Sequence, residues 1–472
     1  MKTAGIYSLA LVLSLSFTAL PAFGQVTERE KELLEMIRKL DERVQQLEKR
    51  LDGTSSEPTS ESSESKESKS EKKDKKDKDK PKDNDFRWYW KDGIRFDTND
   101  KNFKLKLGGR IQSDNIWVSP GSDLDAARMP TDGHEFRRAR IFIGGTIYDN
   151  FEFKAQYDFT DGDADFKDVW LSAKKVPGLG TLKIGHFKEP FGLDNMTSSK
   201  NTIFMERSLP TSLTPGRNSG IALNRTVAKD RLGYSFGVFR DSDDYGSASG
   251  TDYNVTARIH TRPWVNEDEN RYLHLGVSAS HQNIDGMLRY RARPEVHMND
   301  RFVDTNLIPA DSAFLWGSEA ALILGSFTWQ GEYIASDINA PTGVADYDFS
   351  GYSMQMSYII TGEERGYKSG SGSFDKISPE NPFRGFGKGG TGAWEIAARY
   401  STLDLDHGLV RGGDLENITV GVNWYINPTL KLMLNYIHAE VERDVDVFDP
   451  LAIIPAYDDD FDAILTRLQV VW

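Results

Sequence analysis

The sequence predicts an all-β protein, a transmembrane antiparallel barrel of about sixteen strands preceded by a short helical segment and a linker. Three observations carry that expectation. Period-two alternation of apolar and polar residues recurs from Phe86 to Trp472. Aromatic residues gather at strand ends, among them Trp117, Tyr148, Phe159, Phe239, Tyr253, Tyr272 and Tyr425, as in the girdles that flank a lipid-facing band. Tight turns alternate with long connections, the outer-membrane arrangement.

The N-terminal region comes first. Lys2, the apolar run from Ala4 to Leu20 and the small-x-small triplet Ala22-Phe23-Gly24 have the form of a secretory signal over residues 1–24. No later run is long and apolar enough for a membrane helix. Residues 25–52 hold about three heptads, with Ile37, Val44 and Leu51 at one seam position and Leu33, Leu40 and Leu47 at the other. A lone helix of this length is marginal in water, so a periplasmic coiled coil with self-association or cell-wall contact is expected. Residues 53–85 are almost all Ser, Glu, Lys and Asp and cannot bury enough apolar surface to fold, which predicts a disordered tether. Its lysines are interspersed with acids, so it makes no case for nucleic-acid binding.

Residues 86–472 are the expected barrel. In Phe151–Phe159 one face is Phe151, Phe153, Ala155, Tyr157 and Phe159, and the other is Glu152, Lys154, Gln156 and Asp158. The segment from Ala139 to Ile147 follows the same rule, with Phe142 the exception on the polar face. Turns are expected at Asp149-Asn150, Pro177-Gly178, Ala228-Lys229-Asp230 and Asn427-Pro428, and longer loops near 118–135, 188–218, 240–251, 282–313 and 443–460.

The chain has 472 residues, a net charge of -14 and no cysteine. The missing cysteine excludes a disulfide framework and thiolate metal sites. Asp161, Asp163 and Asp165 lack the glycine and the final glutamate of a calcium loop, and the scattered histidines have no metal spacing. No nucleophile or phosphate-loop motif stands in a suitable context. These features predict neither an enzyme nor a cofactor.

The polar faces carry the functional expectation. Lys106, Arg110, Arg138, Arg140, Lys154 and Arg258 lie on faces turned away from lipid, where acids such as Glu152, Asp158, Asp168, Glu319, Glu332 and Glu395 are fewer. A basic wall favours anions. Between two strands, residues 188–218 lose all alternation and mix Phe191, Phe204 and Met205 with Lys188, Lys200, Arg207 and Arg217. So apolar a loop needs a wall to pack on, which predicts that it folds inward and narrows the lumen. Arg289, Arg291 and Arg293, at period two, form a second candidate for relaying an oxyanion.

Three stretches, FRRARIFIGGTIYDNFEFKAQYDF, GHFKEPFGLDNMTSSKNTIFMERSLP and ENITVGVNWYINPTLKLMLNY, resemble the phosphate-selective porin O/P family, with similarity from Phe103 to Trp472. The resemblance implies a sixteen-stranded barrel in the outer membrane of a Gram-negative-type bacterium, a homotrimer, and passage of small inorganic anions, phosphate or polyphosphate, through a narrow arginine- and lysine-lined pore. It also implies that residues 188–218 enter the lumen and that Thr361–Gly392 enters from the periplasmic side. The alternatives are an envelope-tethering barrel acting through its stalk, and a general or carbohydrate porin.

Overall fold

A computed structural model describes residues 38–39, 86–120, 131–160, 162–240, 253–266, 268, 270–444 and 457–472. The expected signal segment, coiled coil and tether lie outside the described residues, apart from Arg38 and Lys39. So do most of the connections near 121–130, 241–252 and 445–456.

The strands bury the wrong residues for a soluble protein, and this inversion defines the fold. In Tyr347–Ile359, Met354 and Met356 are 49% and 51% exposed, while the intervening Gln355 is 7% exposed. Ile141, Leu171, Ile184, Val277, Ile418, Leu434 and Leu468 repeat the pattern on other strands. Strict alternation puts one set of side chains on each sheet face. Here the apolar set faces outward and the polar set inward, as the bilayer requires.

Among the described residues, eighteen strands form one antiparallel sheet. Sixteen of them close a barrel, from Phe103–Pro120 to Tyr457–Val471. Each pairs with its neighbours in sequence, and the closing pairs run from Phe461 with Pro120 to Val471 with Arg110. Closure satisfies every strand edge inside lipid, where an unpaired backbone group costs several kcal/mol. The other two strands, Phe86–Trp90 and Ile94–Thr98, form a hairpin. It takes up the same edge of Phe103–Pro120 just past the end of the last strand, with Ile94 opposite Leu107 and Asp97 opposite Lys104. Between them the Gly109 amide donates to the Trp472 carbonyl at 2.9 Å, and the Trp472 amide donates back at 3.1 Å.

The tight turns lie at one end. Tyr148, Asp149, Ala228, Lys229 and Asp230 all take positive φ there, the geometry that reverses two strands in a few residues. The connections 189–216 and 289–307 lie at the other end. Residues 360–392 break the rule, forming a long connection at the short-turn end.

Within the barrel the long connections build an apolar core of their own. Phe191, Met205, Leu209 and Leu213 from the first meet Val296, Phe302 and Val303 from the second, against Phe349, Leu403, Met433, Ile437 and Phe461 of the wall. One side of the lumen is therefore filled.

Candidate pore and constriction

The connection 189–216 begins where Gly180–Lys188 ends. Gly192 turns the chain at φ 68°, a conformation that strains a side-chain-bearing residue. The short helix Leu193–Met196 follows, and the Glu332 carboxylate from the wall accepts its first amides, Leu193 and Asp194, the latter at 2.9 Å. The first amides of a helix have no partner within it, so an oxygen from the wall satisfies them.

From Ser199 to Glu206 seven of the eight backbone carbonyls accept from inward-pointing side chains, six on the wall and one, Arg365, on the connection 360–392. Gln112 donates to the Ser199 oxygen at 3.2 Å, Gln469 to Lys200 at 3.2 Å, and Arg365 to Asn201 at 3.4 Å. Lys431 donates to Thr202 at 3.0 Å and Asn423 to Ile203 at 2.8 Å. Arg467 donates to Met205, and Arg399 to Glu206 at 3.0 Å. Buried carbonyls need partners, and inward-pointing polar side chains supply them in series. A loop without regular structure is thereby fixed across the lumen.

The inward cations fall into two groups. On the filled side three arginines are paired with carboxylates, and Lys431 is held by the Thr202 carbonyl. Arg467 binds Asp114 at 2.6 Å and Glu206 at 2.8 Å. Arg399 pairs with Glu295 of the connection 289–307, and Arg365 with Glu395. Glu206 is also gripped by Arg137 at 2.9 Å. Burial raises its pKa, but Arg137, Arg138 and Arg467 outweigh burial and hold the carboxyl well below the usual range. Burial disfavours the charged Arg365 guanidinium, and the Glu395 carboxylate more than offsets this.

The other side keeps a cavity of about 380 Å3. Eleven cationic side chains line it: Lys106, Arg110, Arg138, Arg140, Lys154, Lys183, Lys188, Lys200, Arg207, Arg217 and Lys368. One acidic side chain, Asp168, lines it as well. Asp168 meets Lys154 at 2.6 Å and Arg217 at 2.9 Å. Arg140 pairs with Asp158 at 2.6 Å, Arg138 donates to Gln112 at 2.9 Å, and Arg110 to Ser199 at 2.8 Å. Lys188 donates to the Asn195 carbonyl, and Arg207 to those of Asp194 at 2.9 Å and Thr197 at 2.8 Å. Carbonyl oxygens fix these cations without cancelling their charge. Burial, followed by the nearby Arg110, Lys368 and Lys106, pushes the Lys200 ammonium down to about 8.

The structure thus brings nine of the candidate residues together: Lys106, Arg110, Arg138, Arg140, Lys154, Lys188, Lys200, Arg207 and Arg217. It places four elsewhere. Arg258 is buried against Glu319 and donates to the carbonyls of Ser371 at 2.7 Å and Gly372 at 2.7 Å. It faces inward as expected, but a carboxylate and a strap of chain cover it. Arg289, Arg291 and Arg293 lie outside that cavity. Arg289 folds back on Asp304, Arg291 is exposed, and Arg293 donates to the Asn299 carbonyl at 2.7 Å. Tyr290 and Ala292 between them are buried, so the three stand on the opposite side of the chain, outside the basic cavity.

Lys183 and Lys368 complete the cavity. Lys368 arrives on the connection 360–392, which runs inward from the short-turn end and meets the constriction loop. Asn201 donates to Asp375 at 3.2 Å, and the Phe374 amide to Thr197 at 3.3 Å. Alternation alone undercounted the acids: Asp114 is on an inward face, while Glu189, Glu206 and Glu295 come from connections.

Comparison with known proteins agrees with this architecture. A family profile described as "Phosphate-selective porin O and P" matches residues 105–472. Porin O of Pseudomonas aeruginosa is 30% identical over 430 residues, covering 81% of this chain and 91% of that protein. An uncharacterized protein of Caulobacter vibrioides is 28% identical over 362 residues, covering 74% of this chain and 70% of that one. The outer-membrane expressed OmpT of Vibrio cholerae has the same fold, with TM-score 0.50, 11% identity, and coverage of 79% of this chain and 98% of that one. Outward apolar faces, a closed sixteen-stranded barrel, a loop pinned inside it and these relatives lead to one conclusion: the chain belongs to the phosphate-selective porin O and P family, and is an outer-membrane channel.

Proposed function

We propose that this channel passes small inorganic anions by diffusion, with phosphate or polyphosphate the class its family name indicates. The observation that carries the reading is the lining of the cavity: among the described residues, eleven cationic side chains and one acidic side chain, Asp168. The whole chain is acidic at -14, so the surplus is local to the passage. Fixed guanidinium and ammonium groups replace part of an anion's hydration, and low-dielectric walls focus their field along the path. Arginine offers a planar fork matched to oxyanion geometry. The constriction sits between the wall of Lys106, Arg140 and Lys154 and the loop carrying Lys200 and Arg207.

A homotrimer is part of the same proposal, suggested by the sequence resemblance, with the heptads of residues 25–52 as a periplasmic stalk. Chemical cross-linking of the detergent-extracted protein tests the subunit number.

The channel reading is tested by reversal potential in planar bilayers across a potassium chloride gradient. An anion-selective potential supports it. A cation-selective or non-conducting protein overturns it.

A further inference from the structure

We propose that the passage also binds and admits organic anions that carry a planar apolar group, such as aryl phosphates, through an aromatic strip set among its lysines. The inference rests on the anion-channel reading and extends it to a further substrate class.

The strip is Phe142, Trp170 and Phe187, all lining the basic cavity together with Met196. Phe142 is the residue that breaks the alternation of its strand, standing on the polar face. It belongs to none of the apolar clusters inside the barrel. Its ring lies between the wall and the cavity, whereas Trp170 and Phe187 also pack with Ala222 and Phe239. The neighbour of Phe142 across the strands is Gly108, and a Cβ there would lie 2.7 Å from the Phe142 ring. The glycine gives the ring room to lie along the wall.

Each ring is coupled to ammonium groups. Lys106 and Lys154 stand 5.4 and 5.5 Å from the Phe142 centroid. Lys183 stands 4.7 Å from the Trp170 ring and 5.0 Å from the Phe187 ring. A phosphate or carboxylate held by these lysines has an aromatic face within reach of whatever substituent it carries. Inorganic phosphate has no use for such a surface. An aryl group gains from it, since aromatic pairs contribute beyond their buried area. Within a family described by phosphate selectivity, this wall offers a second attribute to select on.

The experiment is block of the chloride current in planar bilayers, comparing phenyl phosphate with methyl phosphate, two monoesters of equal charge. The wild-type channel is expected to be half-blocked by phenyl phosphate at a concentration about threefold to tenfold lower. The ratio is expected to fall toward one in Phe142→Leu and in Trp170→Leu, which keep apolar bulk and lose the flat ring. Equal block of the wild type by the two esters overturns the proposal, because the rings then serve only to position lysines. A preference that survives in both variants also overturns it. If a variant fails to assemble, judged by its heat-modifiable mobility on gels, the wild-type comparison still decides. Failure of the anion reading itself would appear separately, as a wild-type reversal potential without anion preference.

Discussion

Arg467 on the last strand and Glu206 on the constriction loop meet at 2.8 Å, and the same guanidinium holds Asp114 at 2.6 Å. Arg467 is fully buried, so its loss leaves Asp114 without its ion-pair partner and Glu206 with Arg137 and Arg138. Removing one member of a buried ion pair costs about 3–5 kcal/mol. Arg467→Met is expected to lower the thermal transition of the folded barrel and to increase open-channel current noise as the loop loosens. Gel mobility against temperature and single-channel recording check both.

Arg217 lines the cavity beside Asp168. Arg217→Glu replaces a cation with an anion there. A unit charge near 4 Å is worth ~1 kcal/mol even in water, so the chloride-to-potassium permeability ratio should fall by about fivefold or more. Reversal potentials measure it, and an unchanged ratio would place the conducting path elsewhere.

Lys200 titrates near 8 because burial and neighbouring cations disfavour its charge. It is charged below that pH and neutral above it. Anion selectivity is therefore expected to decline between about pH 7 and 9, as the passage loses one positive charge. Lys200→Arg should remove that inflection, since a guanidinium stays charged throughout.

The connection 360–392 mixes sheltered and open basic residues. Arg365 is buried against Glu395, whereas Arg384 and Lys388 are exposed. Trypsin given access to the short-turn end should cleave after Arg384 and Lys388 and spare Arg365. Mass spectrometry of the fragments reads this directly. Early cleavage at Arg365 would show that the strap leaves the lumen.

The barrel was legible in the sequence because each strand repeats one physical rule, apolar residues toward lipid and polar residues toward water. The inward course of 188–218 was legible because Phe191, Phe204 and Met205 cannot remain exposed. Their companions were not. Alternation states that Arg258 points inward, but not that Glu319, on a different strand, waits for it. Glu206 and Glu295 sit in irregular connections whose side-chain directions follow no period. The spacing of Arg289, Arg291 and Arg293 likewise gave no sign that Asp304 and the Asn299 carbonyl would hold two of them. The oddity of Phe142 was visible, and its meaning depended on Lys106 and Lys154 reaching it from neighbouring strands.

The join at Trp472 has a consequence for assembly. The first stave of the barrel is shared along a single edge by the C-terminal strand and by the Phe86–Thr98 hairpin, which meet end to end. The barrel can be zipped shut only after Tyr457–Val471 has been synthesised, and pairing between such distant parts of a chain is intrinsically slow. Extra residues fused after Trp472 would run into the hairpin at that seam, so an affinity tag there should delay maturation more than one inserted in the 53–85 stretch.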